Sequence, residues 1–182
     1  MVMPTAMPAA PTPADATRPV AVVGGPLWAR ALLLAVPGVW LGLLTGISLI
    51  EAPLKFTAPG ITIPLGLGIG RRVFFAMNMV EIVLAAVLLV SLASTLGRPR
   101  AVTAGSGRLW LGGLVATGLL AVKVIAIRPF LNRRTDMVLA GVDDGGSTWH
   151  YAYVAVDGLL ILTVVALLVT AARTLLPPTP AR

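Results

Sequence analysis

The chain has 182 residues, of which 57% are hydrophobic and 12% charged, and its mean hydropathy is +0.93. A water-soluble domain needs more charged surface than that, so the composition describes an integral membrane protein. The formal net charge is +7, but the basic residues fall in short connectors between apolar runs, where they flank lipid headgroups rather than nucleic acid. With no cysteine and one histidine, His150, disulfides, thiolate metal sites, cysteine nucleophiles and intrachain bis-histidine haem are excluded, and no cofactor is expected.

Residues 1–26 are Pro/Ala-rich without helical period and read as a disordered tail. The methionines there, Met1, Met3 and Met7, have no histidine or cysteine beside them and read as composition rather than a copper tract. Four apolar runs follow, at about 27–50, 73–95, 109–127 and 150–172, and each approaches or exceeds the roughly 20 residues a bilayer-spanning helix needs. The expected fold is an all-α, integral membrane four-helix bundle over 27–172, with 173–182 as a short C-terminal tail. Four spans put both termini on one side, and a slight excess of arginine there, including Arg98, Arg100 and Arg108, favours the cytoplasm. A loose Trp-Leu-Gly repeat, at Trp40 and again at Trp110, hints at internal duplication.

Between the first two runs lies EAPLKFTAPGITIPLGLGIGRR. Glu51 and Lys55 stand at i, i+4 and can pair on a helix, while Pro53 implies a kink or restart near Glu51. Pro59, Pro64 and the glycines at 60, 66, 68 and 70 argue against further regular helix, so Ala58–Gly70 is expected as an apolar interfacial or re-entrant loop, with Arg71 and Arg72 at its exit. Gly66-Leu67-Gly68-Ile69-Gly70 lacks the strand and acidic residue of a nucleotide loop. Asp143-Asp144-Gly145-Gly146 lacks the alternating oxygen donors of a calcium site and reads as a turn. No nucleophile elbow or triad is present, and no catalytic residue or metal ligand is expected.

Charge inside a span is costly and normally faces the bundle interior. There are three such residues, Glu81, Lys123 and Asp157, one in each of the last three runs. At 1.5 Å per residue they lie roughly 12, 8 and 10 Å from the same side, the side of the loops after the first and third spans. Asn78 shares a helix face with Glu81, and Tyr153 and His150 share one with Asp157. The candidate polar intramembrane site is therefore Glu81, Lys123, Asp157, His150, Asn78 and Tyr153, with Glu51, Lys55, Arg71 and Arg72 as its rim. One cation between two acids leaves one acid to be compensated. Two readings stay open: a cluster that only orients helices, with Lys123 snorkelling to the interface, and a proton, ion or solute site.

The segments EAPLKFTAPG, GLGIGRRVFFAMNMVE, RPFLNRRTDMVLAG and STWHYAYVAVD together resemble a group of uncharacterised bacterial four-helix membrane proteins, similar in layout to the transmembrane protein 205-like domain of unknown function. The matching positions are Pro53, Lys55, Phe56, Gly70, Arg71, Phe74, Asn78, Glu81, His150 and Tyr153, over residues 27–172, and Asp157 departs where the group has Glu. DoxX-like four-helix proteins are a second resemblance, through the acid of the second span. The resemblance implies a multi-pass protein of the bacterial inner (cell) membrane and brings no catalysed reaction. The expected function is non-enzymatic: an accessory or scaffold subunit of a larger membrane complex, held by lipid and by other membrane subunits or self-association. A small transporter or proton/ion conduit using the buried charges is the alternative.

Overall fold

The structure is a computed structural model that describes residues 24–98, 105–143 and 148–176. It contains four helices long and apolar enough to cross a membrane: α1 (Leu27–Thr57), α2 (Ile63–Leu96), α3 (Gly107–Leu139) and α4 (Thr148–Leu175). No strand occurs among the described residues. The chain is thus an all-α, multi-pass membrane four-helix bundle. Residues 1–23 of the expected tail, residues 144–147 with most of the expected Asp-Asp-Gly-Gly turn, and residues 99–104 and 177–182 lie outside the described residues. Within the expected C-terminal tail, residues 173–175 continue α4.

Each helix packs on two neighbours, α1 on α2, α2 on α3, α3 on α4 and α4 on α1, which closes an up-down-up-down ring. The inward residues follow the three-and-four spacing of a bundle seam. On α4 they are Tyr153, Asp157, Leu160, Val164, Leu167 and Ala171, and on α1 they include Leu33, Val36, Trp40 and Leu44. The charged residues of the spans occupy positions in this same register. They are therefore members of the core and not interruptions of it.

All four spans are longer than the apolar runs suggested. α1 passes through Pro53 and α3 through Pro129, and in both cases the helix widens just beforehand into a π segment, Thr45–Glu51 and Val122–Ile127. Each proline then stands at the first turn of the renewed α-helix. The logic is shared: proline has no N–H and its ring clashes with the carbonyl four residues back, and a wider turn moves that carbonyl aside. The restart expected near Glu51 takes this form, and α3 runs on to Leu139 where a connector was expected after residue 127.

The stretch after α1 is corrected more strongly. Only Ala58–Thr62 forms the connector, with Gly60 at φ +81° in its turn, and α2 begins at Ile63. Thr62 caps it, its side-chain oxygen accepting from Leu65 N at 3.4 Å, and Pro64 falls in the first turn, where a missing N–H costs nothing. The glycines at 66, 68 and 70 are all helical, and those at 66 and 70 leave space that neighbours fill. A Cβ on Gly66 would collide with the Phe56 ring, and one on Gly70 would stand 2.8 Å from Lys55 Nζ. The expected loop is a close helical hairpin instead.

Candidate functional site

Four core positions at one level, one from each helix, build the site. Lys123 projects from the π segment of α3 and is fully buried, so it does not snorkel to the interface. Its ammonium stands 2.8 Å from Glu81 Oε2 and 2.9 Å from Oε1 on α2, and 2.7 Å from Asp157 Oδ1 on α4. α1 supplies Trp40, whose indole N–H donates to Glu81 Oε1 at 3.1 Å. The ammonium also lies 5.5 Å from the Tyr153 ring centre, and Phe74 meets that ring edge-on at 5.4 Å.

A second cation, Arg128, joins the network through the neutral Asn78 amide rather than through a carboxylate. Asn78, fully buried, has its amide turned so that the nitrogen donates to Glu81 Oε2 at 2.9 Å and the oxygen accepts from Arg128 at 3.1 Å. The Tyr153 hydroxyl is hydrogen-bonded to the same amide at 3.4 Å. Arg128 is itself 8% exposed, lies over the Phe75 ring at 4.9 Å and donates to Arg71 O at 3.4 Å. The network thus carries two carboxylates and two cations, and its formal charge closes at zero. One atom is left over: Asp157 Oδ2 is buried without a hydrogen-bond partner.

Above this layer, on the side of the α1–α2 and α3–α4 connectors, a cavity of about 520 Å³ opens among the ends of all four helices. Asp157 lies on its wall, together with Tyr153, Ser48, Lys55, Arg128 and His150. Below the layer the interior is apolar, from Ala85, Leu88 and Leu92 on α2 to Leu160, Val164 and Leu167 on α4. The buried hydroxyls there, Ser91 and Thr95, bond carbonyls of their own helix at 2.7 Å. The polar region therefore opens one way only.

The structure brings together Glu81, Lys123, Asp157, Asn78 and Tyr153 as a connected group. His150 is exposed and lines the cavity mouth, with its ring edge-on to Tyr151 at 6.2 Å. Among the rim residues, Lys55 and Arg71 line the cavity and are paired, Lys55 with Glu51 at 3.3 Å and Arg71 with Asp136 at 2.5 Å. Arg72 instead faces an outer groove between α2 and α3. Sequence reasoning missed two members. Arg128 was counted as a headgroup flank, and Trp40 lies within an apolar run, although a tryptophan that deep in a span needs a partner for its N–H. The Trp-Leu-Gly repeat does not translate into equivalent sites, since Trp110 donates to Gly97 O at the opposite end of the bundle.

Comparison with known protein families, with curated proteins and with solved structures gives no match in any of the three.

Proposed function

We propose that this is a non-enzymatic membrane protein that binds a small ligand in the cavity, with the neutral charge network as its floor. The observation that carries the reading is Asp157 Oδ2, a buried acceptor without a donor on a residue that lines a space large enough for a ligand. The apolar interior below the network speaks against a continuous conduit in this state. A transporter would need a second state open on the far side. With the termini in the cytoplasm of a bacterial cell, as the arginine distribution favours, the cavity opens outward.

An accessory or scaffold role is the second reading. It is favoured by the way Trp40, Glu81, Lys123 and Asp157 tie one residue from each helix into a single layer, which fixes helix order whatever the cavity does. Reconstituted vesicles separate binding from conduction. Parent protein and Glu81→Gln are expected to pass protons and ions no faster than protein-free vesicles. Flux through the parent that disappears in Glu81→Gln would replace the binding reading with a conduit.

A further inference from the structure

The nature of the ligand follows from the charges around the cavity, and this step rests on the binding reading above. Of the lysine, arginines and acid that line the cavity, Lys55, Arg71 and Asp157 each have an opposite charge in contact, and Arg128 is held by the Asn78 amide oxygen and the Arg71 carbonyl. Lys55 is paired with Glu51, Arg71 with Asp136, and Lys123 and Arg128 together balance Glu81 and Asp157. A charged ligand would leave water without gaining a net opposite charge, which is unfavourable in so apolar a setting. What the wall lacks is a single hydrogen-bond donor, at Asp157 Oδ2.

The route in is lateral. α1 packs on α4 along Leu27–Leu44, while its continuation from Thr45 leans on α2. The cavity lies between that continuation and α4, and its wall includes Leu49 and Val154, which are 58% and 53% exposed on the outer surface of the bundle. A cavity bounded by lipid-facing side chains admits molecules from the bilayer as well as from water. Its remaining walls are largely hydrocarbon and ring, from Phe56, Phe74, Leu131 and Ile161.

We infer that the cavity takes an electrically neutral, hydroxyl-bearing amphiphile, of the class of long-chain alcohols and monoacylglycerols. The molecule enters between α1 and α4 with its hydroxyl leading. It donates that hydroxyl to Asp157 Oδ2 and leaves its chain among the apolar walls.

The chain is free of cysteine, so Gly158→Cys gives a single reporter thiol beside Asp157, at a position where an added Cβ meets nothing within 4 Å. Protection of that thiol from a water-soluble maleimide, in nanodiscs, reads occupancy. The probes share one chain length: dodecanol, its methyl ether, dodecanoate and dodecylamine. Dodecanol is expected to protect at about tenfold lower concentration than the ether, the worth of one hydrogen bond to a buried carboxylate, and better than either charged probe. With Asp157→Asn added, the alcohol–ether gap should close, since an N–H replaces the acceptor; the comparison on the Asp157 chain stands without that variant. Equal protection by alcohol and ether, strongest protection by a charged probe, or protection by none would overturn the inference while the cavity stands. A thiol that never reacts would remove the cavity reading itself.

Discussion

The indole N–H of Trp40 donates to Glu81 Oε1 at 3.1 Å, and among the described residues this is the hydrogen bond that ties α1 into the buried charge layer. Without it Glu81 would still have Lys123 and Asn78, but one lone pair would face hydrocarbon. Trp40→Phe keeps most of the ring volume and removes the donor. It is expected to cost about 1.5–3 kcal/mol, the usual worth of a hydrogen bond to a charged group. Unfolding in mixed micelles with increasing SDS would read it, and Trp40→Phe as stable as the parent would count against the bond.

The balance of two acids and two cations makes a sharper prediction. Lys123→Met alone leaves buried carboxylates uncompensated and is expected to cost about 3–5 kcal/mol. Adding Asp157→Asn restores neutrality, because Glu81 keeps Arg128 through Asn78 and keeps Trp40. Adding Glu81→Gln instead strands Asp157, whose one charged partner was Lys123. The Met/Asn double variant should therefore recover most of the loss and the Met/Gln variant distinctly less, by the same unfolding measurement.

The helical hairpin at the cavity mouth can be tested through its glycines. Gly66→Ala forces the Phe56 ring aside and is expected to destabilise by about 1–3 kcal/mol, as overpacking does. Gly70→Ala meets the flexible end of Lys55 and should cost less. Phe56→Ala in the Gly66→Ala background should restore most of the loss. Gly118→Ala, in open space on α3, should be neutral or stabilise by up to about 1 kcal/mol, the helix-propensity gain alone.

What the sequence revealed depended on how unambiguous each physical signal was. Glu81, Lys123 and Asp157 were legible because charge is so costly in hydrocarbon that it must be shared, and equal depth from one side brought them together. Arg128 was not, because a basic residue at the end of an apolar run has the same local appearance whether it turns out to headgroups or inward to Asn78. The segment after α1 was misread because its prolines and glycines were counted as breakers without regard to position. Thr62 with Pro64 two residues on is a helix start, and Gly66 and Gly70 one turn apart are a groove for Phe56 and Lys55. Proline tolerance at Pro53 and Pro129 depends on π segments, which leave no clear trace in composition.

The central claim is a cavity that reaches Asp157 from one side and is sealed by the apolar interior beneath. Side-resolved labelling of two single-cysteine chains in oriented vesicles tests it most directly. Gly158→Cys, on the cavity wall, is expected to react with a membrane-impermeant maleimide added on the side of the α1–α2 connector and not on the side of the termini. Ala116→Cys, fully buried in the apolar interior, is expected to react from neither. Reaction of Gly158→Cys from the termini side, or of Ala116→Cys from either, would contradict it.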